Sequence, residues 1–574
     1  MSLEVAHSLL CGRTRPEECL RNTEYIKESW TVYKDVVWNY EDVKATEAEI
    51  QQYTRFALDL GTSIHKATLL TLHDGALPIS TTSLYCRKCF TRYHHNYLVH
   101  DQTSRRQYYP GVPDTIQVAK HYFIEAQLLE ISSMNWARIY NKTLAYPHPH
   151  IVNNILAFAS MQRPHARSLE EWQTPLRLRD EDVLNGFFLY SLLLDKAEHQ
   201  SVLVLDHSAS SDVDRLSPAL NVRNAAMEGP GQELYAHACD VCFHVVQGDN
   251  GELRKIQAAV CDGNTIGHPC CAVHDSKIPL ARRSHWYCLE HTSHEDICAI
   301  KGCDLAVEHG HRTCGLEDHR RAESHYFEKG QALFQLSARL KKAGVTSTTD
   351  AMGGVNDEEY DNLAKLENDN EEDLDCDGKP EITRQSVKAA FGRRYTHAEL
   401  LIMRPCGVIL SRATMYGSEA ISGVHFAAKA TFPTQNSTPE FFFYDSNCKL
   451  IAHQRSIHDH HFDQTARPVD VFHFKTKHTV TDLHCQQNCN PAAFPELIVN
   501  GKWRFNTSIC EQTNVWFGSY HAIVQNMDPV QYNFYLDEMI KRRNCYIVQE
   551  LNRKGKTPRR YCMGAVNKRH TSCS

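Results

Sequence analysis

The chain has 574 residues, 42% hydrophobic and 23% charged, a balance that excludes wholesale disorder and leaves room for several cores. Its formal net charge of −7 excludes a uniformly basic nucleic-acid coat but allows a local basic patch. The opening MSLEVAHSLLCGRTRPEEC lacks a charged-then-apolar leader, and no stretch approaches the ~18 apolar residues of a membrane span. The expectation is an intracellular protein without a membrane partner, in which 22 cysteines and 34 histidines serve metal before disulfides.

Residues 1–75 carry helical spacing (Ile26, Trp30, Tyr33, Val37) and predict a helical N-terminal region. Residues 76–145 hold a first Cys/His cluster, LYCRKCFTRYHHNYLVH, followed by a helix predicted from Thr115 to Tyr140. Cys86 and Cys89 form a C-x2-C pair there, with His94, His95 and His100 close by; packed Tyr/His-rich strands are the rival reading. Residues 146–235 predict a mostly helical connecting domain, with DEDVLNGFFLYSLLLDKAEH the clearest helix and SVLVLDH a short strand.

Residues 236–343 form a denser Cys/His cluster closed by the helix pattern HRRAESHYFEKGQALFQLSARLKKAG. Residues 344–382 are acidic and poor in aromatics, the composition of a disordered linker that cannot offset the entropy of folding. Residues 383–545 turn to short strands, ELLIM, CGVILSRATMYG and FFFYD, and 546–574 form a basic tail. The fold class is therefore α+β and multidomain: helical N-terminal parts, small zinc-stabilised modules and a C-terminal α/β domain.

Zinc takes thiolate and imidazole in tetrahedral fours, and short loops deliver two ligands from one turn of chain. The dense cluster supplies such pairs repeatedly: Cys239 with Cys242, then Cys270, Cys271 and His274, then Cys288 with His291. Cys298, Cys303, Cys314 and His319 follow as C-x4-C-x10-C-x4-H, four ligands in a row for one ion. Cys239/Cys242 is expected to pair with Cys288/His291, leaving Cys261, His268, Cys270, Cys271 and His274 for a further site. The count predicts two or three structural zinc ions.

These strings resemble a known family. LPISTTSLYCRKCFTRYHHNYLVH is similar to the fifth type of cysteine cluster (CxC) found beside Kyakuja–Dileera–Zisupton (KDZ) transposases, elements abundant in fungi. ACDVCFHVV, DGNTIGHPCCAVHD, YCLEH and CAIKGCDLAVEHGHRTCGLEDH, in that order, are similar to the sixth type. The first cluster lacks the further cysteines that the family carries before LYCRKC, and the second carries Ser276 where a cysteine is common and an added Cys261.

The resemblance implies more for residues 383–545, because KDZ transposases are similar to RNase H-like nucleases. Those enzymes hold two Mg²⁺ or Mn²⁺ ions with an early strand Asp, a strand-end Asp and a later helical Glu. Asp445 ends the apolar run FFFYD and Glu511 lies in CEQTNVWFGSY, matching the last two. The strands ELLIM and CGVILSRATMYG contain no Asp, and the nearby Glu399 and Glu419 stand off the motif, so the expected site is incomplete. Between the acids, His473, His478, Cys485 and Cys489 offer another zinc site, with H-x6-C-x3-C its core.

The resemblance also implies DNA as partner, with a transposase or another protein as a further one. Lys541, Arg542, Arg543, Arg553, Lys554, Lys556, Arg559 and Arg560 form the basic run able to contact phosphates or to address the protein to the nucleus. The expected function is thus a transposon-derived, zinc-binding, nucleic-acid-binding protein with an incomplete metal-dependent nuclease or strand-transfer site. The alternative is a non-catalytic zinc scaffold that docks another protein.

Overall fold

The computed structural model describes residues 63–71, 75–86, 90–130, 180–247, 251–273, 276–328, 391, 394–478 and 482–560. They fall into two compact units, Met1–Asn135 with Pro149–Ala219, and Trp136–His148 with Leu220–Ser574.

The first unit is built on strands β1 (Ser63–Thr71), β2 (Gly75–Cys86), β3 (Thr91–Tyr93), β4 (Tyr97–His100), β5 (Arg105–Tyr108), β6 (Thr115–Ala119), β7 (Tyr122–Glu125) and β8 (Val204–Asp206). They form one sheet in the order β6-β7-β1-β2-β3-β4-β5-β8. Helix α1 (Asp180–Glu198) is the DEDVLNGFFLYSLLLDKAE segment, and Gly186 lets it lie close on β6: a Cβ there would stand 2.4 Å from Val118 Cγ1. Phe187, Phe188 and Leu192 from α1 are buried, as are Ile116, Phe123 and Ile124 from β6 and β7.

Two expectations are corrected in this unit. Residues 63–71 belong to a strand, whereas the helical spacing read at Ile26–Val37 lies outside the described residues. The helix expected from Thr115 is two antiparallel strands, and helix begins only at 126. TIQVA buries Ile116 and Val118 alternately, a period of two that a β-branched segment favours over the helical period.

In the second unit, helix α2 (Asp212–Met227), which starts in the first, leads to β9 (His237–Ala238), β10 (Phe243–Gln247) and β11 (Leu253–Asn264). After the cysteine-rich stretch come β12 (Ala398–Met403), β13 (Ile409–Met415), α3 (Ile421–Thr431), β14 (Phe441–Phe443) and α4 (Asn447–Ser456). The rest is α5 (Val471–Lys477), α6 (Leu483–Asn488), the hairpin β15 (Ile498–Val499) and β16 (Lys502–Trp503), α7 (Ile509–Gly518), α8 (His521–Val524), α9 (Pro529–Arg553) and β17 (Arg559–Arg560).

The main sheet runs β13-β12-β11-β14, with β10 on the first half of β11. β11 pairs antiparallel with β12 (Asn264 opposite Glu399) and parallel with β14 (Ala258 opposite Phe441). Its stretch Ile256–Cys261 is continuously buried, as a strand covered on both faces must be. Val424 and Ala428 of α3, with Phe432 just after it, share one buried cluster with Leu400, Leu410 and Phe442 of the sheet. The central strand therefore comes from the stretch that was read as the start of the zinc cluster, ahead of the acidic segment and outside residues 383–545.

The segment between β11 and β12 is an insertion whose two ends share one end of the sheet, since Asn264 and Glu399 are paired. Its stem is zipped by Thr396 N–H to His268 O at 2.9 Å and Cys270 N–H to Arg394 O at 3.1 Å. It includes the cysteine cluster and a helix over 317–328; the acidic stretch 344–382 lies outside the described residues.

Candidate metal centres and acidic site

The end of β11 delivers Asp262, and its parallel neighbour β14 runs straight into Asp445. Asp470 caps the N-terminus of α5, and Glu511 sits in the first turn of α7, where the helix dipole favours a carboxylate. Asp262, Asp445, Asp470, His473 and Glu511 line a single pocket.

Asp262 Oδ2 accepts from Asn514 Nδ2 at 2.8 Å and Oδ1 from the Gly263 N–H at 2.9 Å. Burial, with the carboxylates of Asp445 and Glu419 nearby, raises its pKa to about 7. Asp470 Oδ2 accepts from the N–H groups of Phe472 and His473 at 3.0 and 3.1 Å, whereas its Oδ1 is buried without a hydrogen-bond partner. His473 lies between two acids, Nδ1 3.2 Å from Asp470 Oδ2 and Nε2 3.5 Å from Glu511 Oε1. Donor atoms of Asp470, His473 and Glu511 all fall within 4.8 Å of one another.

Sequence reasoning named Asp445 and Glu511 and missed Asp262 and Asp470. The signal for Asp262 was present: IQAAVCD, like FFFYD, is an apolar strand closed by Asp. It was read past because Cys261 next to it was counted with the cysteine cluster, yet Cys261 is a buried core residue of the sheet. Neither glutamate considered in its place fills that role. Glu399 is fully buried and accepts from Arg412, Thr414 and Tyr532 at 2.7, 2.8 and 2.9 Å. Glu419 stands at the edge of the acid group, its Oε1 accepting from Tyr444 OH at 3.2 Å.

Among the described residues, cysteines form four groups in which the donor atoms lie within 4.8 Å. Cys298, Cys303, Cys314 and His319 are one, with His319 Nδ1 3.3 Å from Cys314 Sγ and 3.5 Å from Cys298 Sγ. Cys271, Cys288 and His291 are the second; His274, the further ligand that the sequence offers, lies outside the described residues. Cys270 is not in that group: it is buried, and desolvation pushes its thiol up to about 12.

The expected pairing of Cys239/Cys242 with Cys288/His291 is corrected, because the third group joins Cys239 and Cys242 to His237 and Cys406. The fourth group also differs from expectation, being Cys448, His478 and Cys485. Cys489 is left in an apolar cluster with Ile451 and Val469, while His473 goes to the acidic pocket. His478 turns Nδ1 to Cys485 Sγ at 3.4 Å and Nε2 to the Asp445 carbonyl at 3.0 Å, so this group abuts the backbone of an acidic-site residue.

In the first unit, Cys86 ends β2, but its side chain and Cys89 lie outside the described residues. The histidines beside them are engaged in the sheet: His94 stacks on Tyr97 at 4.6 Å, and burial, with His207 and Arg106 nearby, lowers its pKa to about 4.

The basic run divides in two. Lys541 and Arg542 are buried or half-buried on α9 and pair with Glu233 and Glu538 at 2.8 and 2.9 Å. Arg543 donates to the Gly407 carbonyl at 2.6 Å and lies over the Trp516 ring. These three hold the fold together and are not the free contacts that the sequence suggested. Arg553, Lys554, Lys556, Arg559 and Arg560 are exposed, with Arg553 on Glu550 and Arg559 on Asp240.

Among the described residues no helix is long and apolar enough to cross a membrane. Comparison with known proteins gives two family matches and nothing else. No curated protein and no solved structure matches the chain. Residues 51–144 match the CxC5-like cysteine cluster associated with KDZ transposases, and residues 260–325 match the CxC6-like cluster of the same association. The second match opens on the last residues of β11, so Asp262 falls within it and Cys239 and Cys242 do not. The chain thus carries two segments similar to cysteine clusters associated with KDZ transposases, one CxC5-like and one CxC6-like.

Proposed function

We propose that the second unit is an RNase H-like domain that cuts or joins DNA strands with Mg²⁺ or Mn²⁺, and that its cysteine groups hold structural zinc. One observation carries this reading: Asp262, Asp445 and Glu511 come from two neighbouring parallel strands and an adjoining helix and line one pocket. Three carboxylates are what a two-metal phosphodiester site requires, and the sequence had supplied only two.

The donor set fits a hard cation. Oxygen atoms dominate it, one of them is the orphaned Asp470 Oδ1, and the pKa of Asp262 is raised first by burial and then by Asp445 and Glu419, both costs that a bound cation would offset. Bound there, the metal would polarise the scissile phosphodiester and stabilise charge on the attacking and leaving oxygens. The side chains of the chain divide the remaining work. Asp262 and Asp445 present their carboxylates from strand ends held in fixed register. Asp470 orients His473 through Nδ1, which points Nε2 at Glu511. The sulfur-rich groups suit zinc instead, because thiolate and imidazole are soft or borderline ligands.

The KDZ association of the two clusters and the exposed basic residues in 553–560 support DNA as the substrate and the nucleus as the place of action in this reading. The test is Mn²⁺-dependent nicking of supercoiled DNA by the zinc-loaded chain, alongside Mn²⁺ binding measured by electron paramagnetic resonance. Asp262→Asn and Asp445→Asn are expected to lower nicking by roughly 100-fold or more and to weaken Mn²⁺ binding. If the wild-type chain binds no Mn²⁺ and nicks nothing, the non-catalytic scaffold that docks a partner protein replaces this reading.

A further inference from the structure

We propose that His237, Cys239, Cys242 and Cys406 form a closed zinc site that locks the basic segment 553–560 onto the second unit. The four residues lie outside both matched family segments, and their donor atoms fall within 4.8 Å of one another. The three-sulfur, one-nitrogen set is a structural zinc combination, with no position left for water.

Local geometry builds it. The C-x2-C turn is closed by Cys242 N–H to Cys239 O at 3.1 Å, and the two Sγ atoms stand 3.6 Å apart. Cys406 arrives from the β12–β13 turn, where Gly407 adopts φ +95° and its N–H bonds Arg404 O at 2.8 Å. His237, Cys239 and Cys242 are buried, and His237 Nε2 has no hydrogen-bond partner. A buried imidazole nitrogen left unpaired beside three thiols is costly in the metal-free chain and satisfied in the loaded one.

The consequence lies in what these residues hold. His237 and Ala238 are strand β9, and they pair with Arg560 and Arg559 of β17. The Asp240 N–H bonds Lys556 O at 3.0 Å, and Asp240 Oδ1 lies 3.2 Å from Arg559 Nη1. Leu551 and Ile547, from the last turns of α9, pack against Cys239, Cys242 and Cys406. Zinc here fixes the knuckle, the knuckle fixes β17, and the exposed cations of that segment keep one arrangement.

The test uses the full chain. Native mass spectrometry of the zinc-loaded protein is compared with Cys406→Ser and Cys406→His. Cys406→Ser is expected to lose one zinc equivalent and to be cut by trypsin within 553–560 roughly tenfold faster, while Cys406→His retains both properties. An unchanged zinc count in Cys406→Ser overturns the site. If that variant does not fold, alkylation mapping of the wild-type protein decides. Modification of Cys406 in the folded, zinc-loaded chain, or a mass two hydrogens low from a Cys239–Cys242 disulfide, is equally fatal to it.

Discussion

Asp262 is a buried carboxylic acid in a pocket lined by other acids. In the metal-free chain it keeps its proton to about pH 7, against an ordinary 3.8, because it is buried beside Asp445 and Glu419. Between those two values the folded state binds more protons than the unfolded one, so stability falls as pH rises through the window and is flat above it. Asp262→Asn removes that slope. In Mg²⁺- and Mn²⁺-free buffer the variant should exceed wild type by about 2–4 kcal/mol at pH 8 and show no such gain at pH 4. Urea denaturation at both pH values checks this, and an equal difference at the two would show that the cost of ionising the buried Asp262 is not the cause. The same residue shows what was legible. The pattern of apolar run then Asp was in the sequence, but a neighbouring cysteine drew it into the wrong group. Asp470 carried only a turn-like context, and nothing local announced that its Oδ1 would be left unpaired in a pocket.

At the scale of elements, the strands ELLIM, CGVILSRATMYG and FFFYD were legible because short apolar runs are local properties. Helices α3, α4 and α9 were not read, and the end of α9 was taken into the basic tail. Nor were the partners that these elements bring together. Cys406 sits in a turn far along the chain from Cys242, and Cys448 lies on α4 while His478 and Cys485 come from beyond α5. Spacing rules find ligands that share a turn and are blind to ligands that sheet register brings together. The register is held in part by a buried ionic junction. Arg412 of β13 donates through Nε and Nη2 to both oxygens of Asp537 on α9, each at 3.0 Å, and through Nη1 to Glu399 of β12 at 2.7 Å. Asp537→Ala leaves Nε of a buried guanidinium without its acceptor, with only Glu399 to balance the charge, so it should destabilise the second unit by about 3–5 kcal/mol, read from its urea midpoint. Asp537→Asn keeps a hydrogen-bond acceptor and should cost less than Asp537→Ala. Equal losses would mean that packing of α9, and not the junction, sets the cost.

For the whole molecule, a net charge of −7 and a DNA partner are compatible only if the cations are gathered where DNA can reach them. The fold sorts the basic run accordingly. Lys541, Arg542 and Arg543 of α9 are consumed by Glu233, Glu538 and the Gly407 carbonyl, whereas Lys554, Lys556 and Arg560 face solvent beyond its end. The two sets therefore predict different behaviour. Each phosphate contact adds about 0.9 to the slope of log affinity against log salt on duplex DNA, so charge removal at Lys554, Lys556 and Arg560 should flatten that slope by roughly 2–3. Lys541→Gln should leave the slope alone and lower the urea midpoint instead, since it breaks a shielded ion pair with Glu233. Fluorescence anisotropy across a salt series, with unfolding followed on the same variants, separates the outcomes. A slope unaffected by the exposed set, or flattened only by Lys541→Gln, would move the DNA path away from the end of α9. The cysteine-rich insertion would then be the next surface to examine, because it leaves and rejoins the sheet at the end that carries Asp262.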